Sequence, residues 1–363
     1  MSDFPIPILE PLNGKSLAEQ EAFLNHAYEF EEQADYSTAS LYYYHYLQYF
    51  QDNAWVYAHL ASCLAKSDDL AAAMDNFNQA IALNPDYPWA RIGRGSLYQQ
   101  QGQFNAALTD FQRALRETPN DVWLLNQIGD CLTVLNRFEE AASYFQQSVG
   151  LEPDHPWSLA HLGMALVRFG QIGEGIEYLR NALTLDENYS WAAHNLGMGL
   201  WQAGDQNGAL AAFNYALACQ PALTDAYYER ASLLLEMENP QAALADVLAW
   251  LTDHPADGAG LCLLGDIRTA LGEREAALEA FQQALAAGES HYPVHTEIGI
   301  LLMELQRPQA AREHFDQALI INPKDTSALA NRGEVFRRMG DYKSALTDLS
   351  QAIEWSTEPS AWM

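Results

Sequence analysis

Basic side chains are scarce in this sequence: 19 Lys and Arg stand against 48 Asp and Glu, a formal net charge of −29 at pH 7. A chain so charged repels phosphate, which excludes non-specific association with DNA or RNA. Cysteine is sparse too. Cys63, Cys131, Cys219 and Cys262 lie far apart and form no CxxC pair, so they read as small apolar residues in a reducing compartment and not as disulfide partners or metal ligands. No run of 18 or more apolar residues occurs, and the opening MSDFPIPILEP has neither the basic segment nor the long apolar run of a secretory signal. A cytoplasmic location without direct membrane insertion is the expectation.

Chemical motifs are missing as well. There is no GxxxxGK[ST] stretch to cradle phosphate and no HExxH pair. His155 and His161 flank a helix start, but two histidines without a third ligand at helical spacing do not make a zinc site. The sequence therefore predicts no catalytic residue, no cofactor and no metal.

What is present is a beat of 34 residues. Trp55, Trp89, Trp123, Trp157 and Trp191 fall on it, as do Pro85, Pro119, Pro153, Pro221, Pro255 and Pro323. Glycine keeps the same interval at Gly95, Gly129, Gly163, Gly197, Gly265, Gly299 and Gly333, with Ala61 and Ala231 standing in. Twelve residues after those sites comes a second small residue, from Ala73 to Ala345, with Gly175 the exception; four further on comes a large apolar one such as Phe77, Phe111 or Phe145. Self-similarity at this interval marks stacked repeats. Small residues at a fixed position let two crossing helices approach, and the bulky residue one turn beyond shares their face. In PWARIGRGSLYQQQGQFNAALTDFQRALRETPND the pattern predicts one helix over 89–100, a break at Gly102, and a second helix over 105–116. Each is about three turns long and unstable alone, so stability has to come from packing on neighbouring units.

These residues resemble the tetratricopeptide repeat family. The likeness rests on Gly95, Tyr98, Gly102, Phe104, Ala107, Phe111, Ala114 and Pro119 in one unit, and it extends over about 340 of 363 residues as ten units starting near Gln20, Ala54, Pro88, Val122, Pro156, Ser190, Thr224, Gly258, Tyr292 and Thr326. The first unit keeps only Ala27, Tyr36, Ala39 and Tyr43 of the pattern, and its LYYYHYLQYF cluster reads as a buried second helix. The resemblance implies an all-α fold: a right-handed superhelical solenoid over 20–359, continuous, with 1–19 as an extension and 360–363 as a tail or truncated capping helix closed by Trp362.

It also implies a concave groove, walled by the first helix of each unit, that receives a peptide. The groove positions are Trp55, Trp89, Trp123, Asn126, Gln127, Asp130, Trp157, His161, Met164, Trp191, His194, Asn195, Met198, Trp201, Tyr228 and Glu229. The tryptophans sit two residues earlier than is usual for the family, and either pack on the preceding helix end or form an aromatic ladder for a partner. Between Asn181 and Arg268 one basic residue, Arg230, meets eleven acidic ones, which points to a basic or mixed apolar and basic partner. The family's carboxylate-tail clamp is not matched, because Lys and Arg are missing from its positions in the first nine units. Three functions stay open: a protein- or peptide-binding scaffold or adaptor, a client-holding chaperone for secretion or envelope assembly, and an enzyme's accessory subunit that binds oligosaccharide.

Overall fold

A computed structural model describes residues 9–289 and 292–357. The proposed cap at Trp362 lies outside these. Among the described residues there is no strand, and the helices fall into two compact units, Met1–Glu187 and Asn188–Met363. In the first, the pairs are α1 (Leu17–Glu32) with α2 (Tyr36–Leu47), α3 (Ala54–Lys66) with α4 (Leu70–Leu83), α5 (Pro88–Gln100) with α6 (Phe104–Glu117), α7 (Val122–Val134) with α8 (Phe138–Leu151), and α9 (Pro156–Phe169) with α10 (Ile172–Leu185). In the second they are α11 (Ser190–Gln202) with α12 (Gln206–Cys219), α13 (Asp225–Glu236) with α14 (Pro240–Asp253), α15 (Gly258–Ala270) with α16 (Arg274–Ala286), α17 (Tyr292–Glu304) with α18 (Pro308–Ile321), and α19 (Thr326–Met339) with α20 (Tyr342–Thr357).

The helix limits follow local chemistry. Proline opens α5, α9, α14 and α18, where its missing N–H is one of those that a helix start leaves unused. Linker aspartates cap several others: Asp69, Asp121, Asp205 and Asp257 each accept a backbone N–H from the first turn. The first helix begins at Leu17, three residues ahead of the repeat register, because Ser16 and Glu19 form a reciprocal capping box. At the turn inside each pair the chain adopts positive φ once per repeat. Gly102, Gly170, Gly204, Gly272 and Gly340 do this without strain, whereas Ala34, Asp68, Asn136, Glu238 and Gln306 hold the same left-handed conformation with a side chain.

Packing explains the small-residue beat. A Cβ built on Gly95 would stand 2.7 Å from the Phe111 ring, and Gly129, Gly197, Gly265 and Gly299 are covered in the same way by Phe145, Phe213, Phe281 and Phe315. In the fifth pair the phenylalanine is Leu179, and the backbones themselves close up: a Cβ on Gly163 would lie 2.7 Å from the Gly175 carbonyl oxygen. Successive repeats are joined by a second device. Arg94 holds the buried carboxylate of Asp110 through two hydrogen bonds of 2.7 and 2.8 Å and reaches Asn78 of the preceding repeat at 2.8 Å. Arg230 binds Asp246 and Asn214, and Arg332 binds Asp348 and Asp316, in the same registers. Neighbouring first helices touch, α3 with α5 in one unit and α11 with α13, α13 with α15 and α17 with α19 in the other. Each unit therefore has a tight side made of first helices.

Candidate peptide-binding face

In the N-terminal unit the tryptophans are set at the first turn of each first helix, and their neighbours decide what they can offer. Trp55 lies against the ring of His59, one turn on, at 3.9 Å, and meets Tyr43 edge-on at 5.9 Å. His59 is buried, and its Nδ1 lies 2.8 Å from Glu31, which also accepts the Tyr43 hydroxyl at 2.8 Å. Trp89 lies nearly parallel to the His59 ring at 5.7 Å and remains 48% exposed. Trp123 is equally open and touches Phe111 edge-on. Trp157 is half-buried, stacked on His161 at 3.6 Å with its edge toward Phe145. A tryptophan followed four residues later by histidine is thus a one-turn stack, and that signal was present in the sequence.

The polar positions divide. Asn126 does not face a partner: it is buried, and its amide donates to Ser158 of the next repeat at 3.0 Å, in a network that includes Ser148 and His155. Met164 is buried as well, while Gln127 is half-buried. Asp130 and His161, from successive first helices, come within 3.9 Å. Burial pushes the Asp130 carboxyl up to about 7 and holds His161 down at about 4. The His161 Nδ1 donates to the Trp157 carbonyl at 2.9 Å, so its other nitrogen faces Asp130 as a lone pair.

In the C-terminal unit Trp191 is half-buried beside Tyr189, His194 lies against Phe213, and the Asn195 amide donates to the Trp191 carbonyl at 2.8 Å. Met198 is half-buried, and the Trp201 indole N–H donates to Glu236 at 2.8 Å. Tyr228 packs on Trp250, whose indole donates to Asp257 at 3.0 Å; Glu229 is half-buried beside Tyr228 in the chain. Of the eleven acidic residues counted above, Asp205 and Asp257 cap helices and Asp246 holds Arg230. Asp266, the last of the eleven, and Glu297 beyond that stretch lie further along the first-helix side. Asp266 keeps one side open to solvent, yet the protein crowding its other side, and then the Glu297 charge, raise its pKa to about 6. Glu297 is raised too, by burial and then by Asp325. Neither carboxylate meets a cation among the described residues.

Among the described residues no group of three or more His, Cys, Asp or Glu could hold a metal ion, and no helix is long and apolar enough to cross a membrane. Models of the tetratricopeptide repeat match residues 60–124, 98–156, 158–189, 228–292, 268–334 and 326–359. Superkiller protein 3 of Schizosaccharomyces pombe is 38% identical over 68 residues, 19% of this chain and 5% of that protein. BBSome complex member bbs-4 of Caenorhabditis elegans is 25% identical over 145 residues, 40% of this chain and 31% of that one. The chain thus spans only about a twentieth and about a third of the length of these relatives. Among solved structures, a tetratricopeptide repeat protein from Parabacteroides merdae superposes with a TM-score of 0.57 at 20% identity, covering 70% of this chain and all of the other, a likeness of fold.

Proposed function

Because the chain belongs to the tetratricopeptide repeat family, we propose that it is a non-enzymatic scaffold or adaptor whose first-helix face binds protein or peptide segments, those in the C-terminal unit being basic or mixed apolar and basic. The observation that carries this reading is the pair Asp266 and Glu297. Surrounding protein raises the pKa of both carboxylates, that of Asp266 to about 6, and neither meets a cation among the described residues. A Lys or Arg arriving between them would favour the charged forms, and the half-buried Tyr228 and Met198 offer apolar surface on other first helices of the same unit. Of the intrinsic bases in this unit, Arg230 is already held by Asp246 and Asn214, and Arg268 donates to the Ala276 carbonyl. The four cysteines are free thiols, Cys63 and Cys131 buried, which suits a reducing, cytoplasmic compartment.

A peptide array probed with the labelled protein tests the reading. Bound sequences should be enriched in Lys or Arg next to Leu, Ile or Phe, and the double variant Asp266→Asn, Glu297→Gln should lose that enrichment. For a peptide so selected, association should slow as ionic strength rises. An array without a basic preference, or a rate indifferent to salt, would overturn the charge assignment.

A further inference from the structure

The second and third repeats carry an opening between their first helices. In the second repeat Ala61 replaces the usual glycine, and its methyl group denies the Phe77 ring the seat that Phe111 and Phe145 have on Gly95 and Gly129. Phe77 leans instead onto the next repeat, where a Cβ on Gly93 would lie 2.2 Å from the tip of its ring. Gly93 occupies the register held by His59, Gln127, His161, Asn195 and Glu229 in other repeats. The missing side chain leaves a cleft of about 320 Å³ between α3 and α5, floored by Phe77 and walled by Trp89, Ile92, Gly93, Ala65 and Lys66.

Its electrostatics run against those of the chain. No Asp or Glu lines the cleft, although the protein carries a net charge of −29. Lys66, in the last turn of α3, is the only lysine between Lys15 and Lys324, and it forms no ion pair among the described residues. Trp89 has one side toward His59 and presents exposed surface here. An apolar floor, an open indole and a single unpaired ammonium group define an occupant with a large apolar side chain next to a carboxylate.

We propose that this cleft is an anchor site for a peptide segment in which a Phe or Leu is flanked by Asp or Glu, with the apolar side chain over Phe77 beside Trp89 and the carboxylate at Lys66. The assignment rests on the scaffold reading above, but it is a second specificity, opposite in charge to that of the C-terminal unit. Burial of one such side chain corresponds to roughly a tenfold gain in affinity or more.

The test uses the full chain and three fluorescein-labelled eleven-residue peptides in a Gly/Ser background: a central Phe with two Asp on each side, the same with central Ala, and central Phe with Lys flanks. Fluorescence anisotropy should show the first binding about tenfold more tightly than either of the others. Ala65→Leu should fill the cleft from its wall and remove that advantage; Leu235 stands at the same register in the seventh repeat, so the exchange suits the fold. Ser62→Met, matching Met164 and Met198, provides the same blockade should Ala65→Leu lower the melting temperature. Lys66→Gln should abolish the preference for Asp over Lys flanks while keeping that for Phe over Ala. Equal binding of the three peptides, or blocked variants that bind as the parent does, would overturn the site. If the array nonetheless selects basic peptides, the scaffold reading stands without this cleft; if it selects no peptide of any kind, both fall.

Discussion

Asp130 and His161 show how two side chains can conceal each other. The Asp130 carboxyl, raised to about 7 in the fold, takes up its proton more readily there than in the unfolded chain, so its contribution to stability is full at low pH and is lost as pH rises from about 4 to 7. His161, lowered to about 4, behaves in the opposite sense. Its contribution is present above about pH 6.5 and is lost as pH falls toward 4. The two windows overlap, and their slopes cancel in the parent protein. Single variants should expose them. Asp130→Asn should make stability rise with pH between 4.5 and 6.5 relative to the parent, and His161→Gln should make it fall, each by up to about 1 kcal/mol per pH unit. Urea midpoints at three pH values measure this, and parallel profiles for all three proteins would refute it. The sequence placed both residues on one face through the family's register, but the proximity of two residues 31 positions apart depends on the spacing of successive first helices, which no local pattern reports. Asn126 illustrates the same limit: its amide was expected to face a partner, and Ser158 claims it from the following repeat.

At the scale of the helix pair, nearly everything regular was legible. The expected helices 89–100 and 105–116 are found as Pro88–Gln100 and Phe104–Glu117, because period, proline and glycine are local signals. The turn inside the pair is less uniform in sequence than in shape. Five repeats place glycine at its left-handed residue, and five impose that conformation on a side chain at a cost of about 1 kcal/mol each. Gln306→Gly and Glu238→Gly should therefore raise the unfolding midpoint, and Gly272→Ala should lower it by a similar amount. Thermal melts of the three variants check both directions; a loss of stability on introducing either glycine would contradict the assignment. The opening at Gly93 was hidden for another reason. A glycine in a first helix looks like a weak point until the ring that leans on it is seen to come from the preceding repeat.

For the whole molecule, charge is the dominant global property. Forty-eight acidic residues are offset by few bases, and several of those bases are committed within the stack, Arg94 and Arg230 to one carboxylate each and Arg332 to two. Mutual repulsion of the remainder opposes compaction. Raising sodium chloride from 20 to 300 mM should increase the thermal midpoint by several degrees, since the Debye length shrinks over that range from about 20 to below 10 Å. An unchanged or lower midpoint would show that the charges are already neutralised within the fold. The net charge itself is plain in the composition, but its distribution is not: what separates capping aspartates from crowded carboxylates such as Asp266 is the packing of the helices around them.

The arginine clamps have a consequence for heredity. Repeats of equal length invite unequal crossing-over, which deletes or transposes whole units. Arg94, Arg230 and Arg332 each require Asn or Asp at one position of the unit before them, supplied by Asn78, Asn214 and Asp316. At that register Gln112 and Gln146 are neutral, Leu248 is apolar and Arg180 is cationic. Moving the last repeat to follow the fifth would set Arg332 against Arg180, two like charges in place of a salt bridge. At these three joints the units share an outline but not their partners, so the neighbour that each arginine meets restricts which repeat can precede its own.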